Sequence, residues 1–349
     1  MKIPQTNNLV SIIIVTFNSK EYILTCLKAI YQSNYRLIEI IVVDNNSTDS
    51  TIDLISHSYP KVKIIRNVKN LGYAEGNNAG VKNAQGKYIA IINPDTQVSP
   101  NWLKPLVDGL DSKNTAVCQP KIMLLKQKNL INCTGKETHF LGFEWLKDYK
   151  KEDYNLNSST ISSFSGSIFL TTKIFFTKLG GFDESFFMYY EDGDFSWRTR
   201  LLGKNLLLIS SSLAFHDYKF TPNENYQKTK QKFYFLERNR LILMIKNYST
   251  RTLILIFPAI ILMELGMNIY FLSKGWWLEK IKGYIWIIAN IKNIETKRSF
   301  IQKSRVISDK ELSSDFISKI NYKEFDNLIL SYFINPLLCT YWKVIKKLI

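Results

Sequence analysis

Cysteine and histidine are scarce in this sequence, and their placement excludes several classes of protein. The chain of 349 residues holds four cysteines and three histidines. Cys26, Cys118, Cys133 and Cys339 lie far apart and form no CxxC pair, so the sequence predicts neither a zinc site nor a disulfide framework. We therefore expect reduced thiols, as in a cytosolic protein.

The N-terminal region lacks a long apolar run, and the sequence has no repeat with the period of a solenoid. Its first apolar run meets Asn18 too early for the hydrophobic region of a signal peptide, so we expect no export. Hydrophobic residues make up 46% and charged residues 22% of the chain, which argues against disorder and against a coiled coil. The length allows one large domain with an appendage, or two domains.

Acidic residues are outnumbered by basic ones, 30 to 46, which gives a net charge of +16. Such an excess predicts an anionic partner: nucleic acid, a membrane surface or a phosphorylated substrate. The excess is concentrated in residues 273–349, directly after the most apolar part of the chain. This arrangement favours a membrane surface. Because the sequence has no arginine-rich tract or nucleic-acid motif, we expect no nucleic-acid partner.

The first part of the chain alternates between apolar runs and amphipathic segments. The expected strands are residues 10–17, 38–43, 63–66 and 88–92. Gly72, Gly76 and Gly80 would form one smooth stripe on a helix, which would let that helix approach the sheet closely. Strands and helices in alternation predict a doubly wound α/β sheet with its ligand site at the carboxyl ends of the strands.

After residue 92 the alternation of apolar runs and amphipathic segments is less regular. Residues 126–159 are rich in Lys, Asn and Ser, so we expect loops and at most a hairpin. A strand is expected at 165–171, followed by a short helix. A further strand at 206–215 would deliver His216 at its end.

Acidic groups follow three of the expected structural elements. They are Asp44, Asp95 and the EDGD tetrapeptide that ends at Asp194. A carboxylate at a strand end can hydrogen-bond a ribose or bind a hard cation, although a single one can equally be a solvated turn residue. Asp194 and Arg198 are four residues apart, which predicts an ion pair within one helix.

The combination and order of these motifs resemble a family 2 inverting glycosyltransferase with the GT-A fold, especially the rhamnosyltransferase-like enzymes. The motifs are VSIIIVTFN, IEIIVVDNNSTDST, NLGYAEGNNAG, YIAIINPDT and GGFDESFFMYYEDGDFSWR. The resemblance implies a catalytic domain over residues 1–246, with a Rossmann-like, mixed and mainly parallel sheet flanked by helices. Residues 247–349 would form a hydrophobic and basic helical region that associates with a membrane.

The resemblance also implies which residues bind the donor, a nucleotide-diphosphate sugar. Thr16, Asn18 and Asp44 would line the pocket for the base and the ribose. Arg66 and Asn70 would lie along the nucleotide.

The NPD tripeptide that ends at Asp95 occupies the place of the family's DxD motif. Asp95 would therefore ligate a Mg²⁺ or Mn²⁺ ion that neutralises the diphosphate, and His216 would be a second metal ligand. Asn93 would also contact the donor, although an amide in place of the first aspartate should weaken metal affinity. His57 and His139 lie among polar residues, so we expect them to be exposed.

Asp192 would be the general base that takes the proton from the acceptor hydroxyl. Glu191, Asp183 and Glu184 would lie near the acceptor, and Arg238 would contact the diphosphate. From the residues alone, Asp183 and Glu184 could equally cap a helix.

Residues 252–272 contain one charged residue, Glu264, and are long enough to cross a hydrocarbon core of about 30 Å. Glu264 and the mid-segment Pro258 count against a simple lipid-exposed helix. Apolar stretches with tryptophans and lysines follow at 276–291 and 328–349, a composition that suits helices lying in the membrane interface. The alternative is a buried helical subdomain of a soluble protein.

The expected function is a metal-dependent inverting transfer of one sugar, a rhamnose-like deoxysugar or another hexose, to a hydroxyl of a lipid-linked or membrane-held glycan in surface polysaccharide assembly. The enzyme would act at the cytoplasmic face of the membrane, held peripherally or by a shallow or transmembrane helix around 252–272. The alternative is a catalytically inactive GT-A-like binding or scaffold protein, suggested by Asn93 and by the residues after His216. A nucleotidyltransferase is disfavoured, because no glycine-rich phosphate loop follows the first strand.

Overall fold

The structure is a computed structural model that describes residues 8–112, 114–218, 226–320, 328 and 330–349. The chain divides into two compact units. The first contains residues 1–136, 146–199 and 204–219, and the second contains residues 137–145, 200–203 and 220–349.

A ten-stranded sheet forms the centre of the first unit. Its strands are β1 (Val10–Thr16), β2 (Ile38–Asp44), β3 (Lys63–Arg66), β4 (Tyr88–Ile92), β5 (Thr96–Val98), β6 (Thr115–Leu124), β7 (Ile131–Cys133), β10 (Ser159–Thr160), β11 (Ile168–Thr172) and β12 (Asn205–His216). The main order is β10-β12-β6-β11-β4-β1-β2-β3. The pairs β1–β2, β2–β3, β1–β4 and β6–β12 are parallel, whereas β11 is antiparallel to both of its neighbours. The predicted mixed, mainly parallel sheet is therefore confirmed.

Helices cover both faces of the central strands. They are α1 (Ile23–Tyr31), α2 (Thr51–Ser58), α3 (Gly72–Lys82), α4 (Leu103–Leu110), α5 (Lys173–Lys178) and α6 (Glu191–Leu201). Ile12 and Ile14 of β1 belong to a buried cluster with apolar residues of α1, α2 and α4. Ile13 and Val15 point to the opposite face, because side chains alternate along a strand.

Helix α3 packs on that opposite face at the glycine stripe that the sequence predicts. A Cβ atom on Gly76 would lie 2.8 Å from a methyl carbon of Val15, and one on Gly80 would overlap Ile13 even more. Only residues without a side chain allow this approach, so the predicted role of these two glycines is confirmed.

The segment expected to be loops is more ordered than predicted. It contains β7 and a separate two-stranded sheet of β8 (Lys136–Thr138) and β9 (Glu144–Leu146). Asn132, Thr134 and Thr138 are buried there, and these polar residues interrupt the hydrophobic pattern by which strands are recognised. Helix α4 and strand β6 are not predicted from the sequence.

The second unit is mainly helical. Its elements include α7 (Tyr226–Asn247), α8 (Thr250–Ser273), α9 (Trp277–Ala289), α10 (Ile291–Ser304), α11 (Asp309–Leu312), a π-helical turn (Leu330–Ile334) and α12 (Asn335–Ile345). Helix α7 belongs to this second unit, and the catalytic domain over residues 1–246 remains a prediction.

Among the described helices, α8 alone is long and apolar enough to cross a membrane by the measure of length and composition. Its inner face is buried and consists of Thr252, Ile256, Ala259, Met263, Met267 and Phe271. The opposite side, termed here the outer face of α8, is exposed and consists of Ile254, Phe257, Ile261, Leu265, Ile269 and Leu272.

Candidate active site

Three of the predicted donor-binding residues lie side by side at the carboxyl edge of the sheet. Thr16, Asp44 and Arg66 end β1, β2 and β3, and the strand register pairs Asp44 with each of the other two. The buried hydroxyl of Thr16 has no hydrogen-bond partner among the described residues, and both carboxylate oxygens of Asp44 lie 3.2 Å from the N–H of Ser47. Arg66 is exposed. A hydroxyl and a carboxylate at adjoining strand ends suit the hydroxyl and amide groups of a nucleoside.

Asn18 and Asn70 use their side chains to shape loops. Asn18 adopts a left-handed backbone with a φ of 52°, its Oδ1 accepts the N–H of Thr48 at 2.8 Å, and its own N–H donates to Ser47 Oγ at 2.9 Å. Asn70 Oδ1 accepts the N–H of Gly72 at 2.8 Å, at the start of α3. A direct contact of either side chain with a nucleotide remains a prediction.

The two predicted metal ligands meet at the ends of β4 and β12. Asp95 follows β4, and His216 ends β12 opposite Thr96 in antiparallel register. His216 Nε2 lies 3.3 Å from Asp95 Oδ1, and its Nδ1 lies 3.2 Å from Asn132 Oδ1. With the amide oxygen of Asn132 as acceptor, Nδ1 carries the proton and Nε2 keeps the lone pair that a metal ion requires.

The groups around Asp95 fit a divalent cation that takes its other ligands from outside the protein. The side-chain oxygen of Asn93 is buried and has no hydrogen-bond partner in the part of the chain that the structure describes. Nowhere among the residues that the structure describes do three or more His, Cys, Asp or Glu side chains form a cluster that could hold a metal ion. Phosphate oxygens and water would therefore have to complete the coordination shell, as is common for Mg²⁺.

Asp192, the predicted base, is held by three donors. Its Oδ2 accepts the N–H of Gly166 at 2.7 Å and lies 2.5 Å from the ammonium group of Lys136, and its Oδ1 accepts the N–H of Gly193 at 2.8 Å. Glu191 is buried beside it in the first turn of α6. Lys136 is not predicted from the sequence, because one lysine among many in an expected loop gives no signal.

The segment before α6 has an unusual backbone. Phe187, Tyr189 and Tyr190 have left-handed φ angles of 62°, 65° and 70°. The carbonyl of Phe187 accepts the N–H groups of Tyr73 at 2.7 Å and of Ala74 at 3.2 Å, and so joins this segment to the start of α3. Left-handed non-glycine residues are costly and cluster at functional sites, which agrees with the position of this segment just before the predicted base.

Tyr73 lies within electrostatic range of both parts of the site. Its hydroxyl donates to the carbonyl oxygen of Gly166. Burial raises the pKa of Tyr73 well above its usual value, and the negative charges of Glu191, Asp192 and Asp95 raise this pKa further. The phenol is therefore a neutral hydrogen-bond donor at physiological pH. Sequence reasoning did not select this residue.

The remaining acidic residues of the last motif have structural partners. Asp183 Oδ1 accepts the N–H of Ser185 at 3.0 Å and its hydroxyl at 2.6 Å, so the capping role of Asp183 is confirmed. Glu184 is exposed. Asp194 and Arg198 form the predicted ion pair at 2.7 Å, with both side chains buried. The proposed vicinity of Asp183, Glu184 and Glu191 to the acceptor remains a prediction.

Arg238, the predicted diphosphate contact, is buried in the second unit. Its guanidinium carbon lies 4.2 Å from the ring centre of Trp286, and Nη2 donates to Asn239 Oδ1 at 2.7 Å. A cation–π contact and a charge-assisted hydrogen bond stabilise this position. A contact with the diphosphate remains a prediction.

One histidine differs from expectation. His57 is exposed as predicted, but the prediction for His139 is wrong, because its side chain is fully buried. Its Nδ1 accepts the N–H of Leu141 at 3.1 Å, and its ring packs on Phe140 with ring centres 4.6 Å apart. Burial lowers the pKa of His139 to about 3. The four cysteines are free, and all but Cys339 are buried.

Known proteins are similar to this chain in sequence and in fold. Residues 11–180 match the sequence profile of the family described as Glycosyl transferase family 2. The low-salt glycan biosynthesis hexosyltransferase Agl10 of Haloferax volcanii is 29% identical over 196 residues, which are 54% of this chain and 61% of that relative. This chain therefore spans less than two thirds of that relative's length. The N-acetylglucosaminyl-diphospho-decaprenol L-rhamnosyltransferase of Mycobacterium tuberculosis is 24% identical over 231 residues, or 59% of this chain and 75% of that relative.

The fold also matches solved structures. The crystal structure of GalNAc-T7 with UDP, GalNAc and Mn²⁺ superposes with a TM-score of 0.56 at 16% identity, over 69% of this chain and 48% of that chain. The order of the strands, the order of the motifs and the match over residues 11–180 agree with one another. Residues 11–180 therefore belong to glycosyl transferase family 2, and the chain has the GT-A fold.

Proposed function

We propose that this chain is a metal-dependent inverting glycosyltransferase that moves a single sugar from a nucleotide-diphosphate sugar to a hydroxyl group of an acceptor. The observation that carries the proposal is the geometry of two carboxylates: Asp95 Oδ1 lies 3.3 Å from His216 Nε2, and Asp192 accepts the N–H groups of Gly166 and Gly193. The reaction needs one group for the leaving diphosphate and one for the acceptor proton. Asp95 and Asp192 are the candidates for these two roles.

In the proposed reaction, Asp192 takes the proton of the acceptor hydroxyl while that oxygen forms a bond to the anomeric carbon of the donor. The bond from this carbon to the phosphate oxygen breaks, and its electron pair leaves with the nucleoside diphosphate. Attack on the face opposite the leaving group inverts the anomeric configuration. The N–H groups of Gly166 and Gly193 hold the carboxylate in place before the acceptor arrives, and a base positioned in this way contributes about 10²–10⁴-fold.

Asp95 and His216 are the proposed ligands of Mg²⁺ or Mn²⁺. When bound, the cation neutralises the charge that develops on the leaving nucleoside diphosphate. The 3.3 Å separation of the carboxylate oxygen and the imidazole nitrogen supports this assignment, and so does the Mn²⁺ in the GalNAc-T7 structure of similar fold.

The proposed donor sugar is a hexose or a rhamnose-like deoxysugar, and the acceptor is a lipid-linked or membrane-held glycan in surface polysaccharide assembly. The names of a hexosyltransferase and of an L-rhamnosyltransferase that acts on a diphospho-decaprenol lipid support this choice. The chain would act at the cytoplasmic face of the membrane, and the exposed apolar side of α8 supports a membrane location.

A donor screen tests the proposal. A donor present at about 100 times its dissociation constant should stabilise the chain by about 2.7 kcal/mol in a thermal-shift assay with Mg²⁺ or Mn²⁺. The stabilisation should disappear in Asp95→Asn but persist in Asp108→Asn, which changes an exposed carboxylate on α4. If no nucleotide sugar stabilises the chain with either cation, the proposal is wrong.

Asn93 favours one second candidate, a non-catalytic binding or scaffold protein, because an amide replaces the first carboxylate of the DxD motif. Slow hydrolysis of the stabilising donor separates the two candidates. Hydrolysis that requires the metal ion and Asp95 supports the enzyme, whereas donor binding without hydrolysis or transfer supports the scaffold.

A further inference from the structure

Most of the large hydrophobic side chains that are exposed among the described residues belong to the second unit. The outer face of α8 is the longest continuous example: its members recur every three or four residues from Ile254 to Leu272, which places them in one stripe. At 1.5 Å per residue this stripe is about 27 Å long. An exposed apolar stripe of this size marks a surface that contacts another body.

The inner side of α8 is fixed to its own unit by buried charges. Glu264 contacts Arg240 of α7, lies 2.8 Å from the ammonium group of Lys280 of α9, and accepts the hydroxyl of Tyr284 at 2.5 Å. Arg240 and Lys280 also pair with Glu237 of α7, at 3.0 Å and 2.6 Å. If α8 left this unit to cross a bilayer, Glu264 would lose these partners inside hydrocarbon, which is unfavourable.

The exposed charges beside the outer face are basic. Arg251 and Lys274 are exposed at the two ends of the stripe, and Lys282 is exposed on α9. The two carboxylates of these helices are turned toward cations: Glu264 lies in the buried cluster, and Glu279 pairs with Lys230 at 3.1 Å as well as with Lys282.

Helix α12, which contacts α8, also combines exposed apolar residues with basic ones. The hydroxyl of Tyr341 donates to the carbonyl of Leu255 at 2.6 Å, so the two helices are in contact. Leu337 and Val344 of α12 are exposed and apolar. The sequence from 328 to 349 contains three lysines and no Asp or Glu.

We propose that the outer face of α8 docks on an anionic lipid membrane, with the helix axis in the plane of the bilayer and both basic ends at the headgroups. Apolar burial and attraction to anionic headgroups act together in this geometry. A second copy of the chain is a poorer occupant. A two-fold interface through this face with antiparallel helices would place Arg251 of one copy near Lys274 of the other, which are like charges.

This inference extends the proposed function, because a chain docked in this way would meet a membrane-held acceptor. Docking can nevertheless be measured without donor or acceptor. Its failure would leave the metal-dependent donor binding described above intact, and failure of donor binding would leave docking intact.

Co-sedimentation of the full chain with vesicles tests the docking surface. We expect binding to vesicles of phosphatidylcholine and phosphatidylglycerol, weaker binding to phosphatidylcholine alone, and at least about tenfold weaker binding of the Ile261→Asp/Leu265→Asp variant. The matched control is Ile174→Asp, which changes an exposed apolar residue of the first unit and should bind like the wild type. An unchanged melting temperature would show that the double variant is folded.

The proposal is overturned if the wild type does not sediment with the anionic vesicles or if the folded double variant binds as well as the wild type. It is also overturned if the outer face supports self-association in solution and no vesicle binding. Arg251→Glu/Lys274→Glu should remove the preference for anionic vesicles, and a retained preference would contradict the role of the basic ends.

Labelling distinguishes in-plane docking from a membrane span. Thr250→Cys and Ser273→Cys place one thiol at each end of α8, in a Cys339→Ser background because the other three cysteines are buried. With protein added outside sealed vesicles, an impermeant maleimide should label both positions. Protection of one end, reversed when detergent opens the vesicles, would indicate a span and overturn the in-plane geometry.

Discussion

The ammonium group of Lys136 lies 2.5 Å from Oδ2 of Asp192, and the two side chains are only 13% and 8% exposed. Lys136 comes from β8, and Asp192 from the first turn of α6. Removing one partner of a buried ion pair leaves an uncompensated charge, which typically costs about 3–5 kcal/mol. Lys136 therefore helps to position the carboxylate that we propose as the base.

A double-mutant cycle should measure this coupling. Lys136→Met should lower the free energy of unfolding by about 3 kcal/mol, because Asp192 loses its buried cation. In Lys136→Met/Asp192→Asn the loss should be smaller than the sum of the single losses by at least about 1 kcal/mol, measured by urea denaturation.

The exposed pair Lys104–Asp108 is the matched control. Its N–O distance is also 2.5 Å, but its side chains are 67% and 56% exposed. Water screens such a pair, so the same cycle there should give about 0.5 kcal/mol or less. Equal coupling energies at the two sites would show that burial does not strengthen the Lys136–Asp192 pair.

Asp192→Asn should separate catalysis from donor binding. The amide has nearly the same shape but cannot take up the acceptor proton, so turnover should fall by about 10²–10⁴-fold while the dissociation constant of the donor stays the same. Asp194→Asn, two residues away, should also lower the melting temperature, because it removes the buried partner of Arg198, but it leaves the proposed base in place. Retained turnover in purified Asp192→Asn would refute its assignment as the base.

The strand ends were predictable because both faces of the central strands are buried. Continuous apolar runs therefore mark β1, β2 and β4 in the sequence. The polar residue that ends each run then has to lie at the carboxyl edge, as Thr16 and Asp44 do. The contact between Asp95 and His216 cannot be predicted from the local sequence, because it depends on the antiparallel pairing of β12 with β5. Here the family resemblance, rather than periodicity, is the basis for predicting these two residues as ligands of one metal ion.

The sequence does not indicate that His139 is buried or that Lys136 and Tyr73 are half-buried. Each also contacts a residue distant in the sequence, namely Asp192 for Lys136, Gly166 for Tyr73 and Ile317 for His139, and no local period reports such contacts. The hydroxyl of Tyr73, for example, donates to the carbonyl of Gly166, and the carboxylates that act on it come from other elements. Tertiary contacts therefore decide these positions.

Two glycines should respond oppositely to alanine. A Cβ atom on Gly80 would overlap Ile13 and lie 3.1 Å from Val43, so Gly80→Ala should destabilise the chain by about 1–3 kcal/mol. Gly266, in α8, has no neighbouring atom within 4 Å of an added Cβ. Gly266→Ala should therefore stabilise by up to about 1 kcal/mol through helix propensity. Urea denaturation of both variants checks the pair, and a harmless Gly80→Ala would contradict the close packing of α3 on β1.

The last prediction concerns stability in mild acid. Burial lowers the pKa of His139 from 6.5 to about 3, so the folded chain keeps a neutral imidazole where the unfolded chain binds a proton. His139 therefore has no effect on the pH dependence above about pH 6.5, and it destabilises the fold progressively as the pH falls toward 3. Between about pH 7 and pH 5 this should cost about 2 kcal/mol.

His139→Asn should remove this loss, because an amide can accept the N–H of Leu141 without titrating. His57→Asn, at an exposed position of α2, should keep this loss. Glu237 does not obscure the comparison. Burial alone would raise the pKa of Glu237, but Arg240 and Lys280 lower it from 4.5 to about 2. The contribution of Glu237 to stability is therefore lost only as the pH falls from 4.5 toward 2, below the pH range of this experiment. Urea denaturation of the three proteins between pH 7 and pH 5 gives the slopes, and a wild-type slope in His139→Asn would show that another group binds the proton.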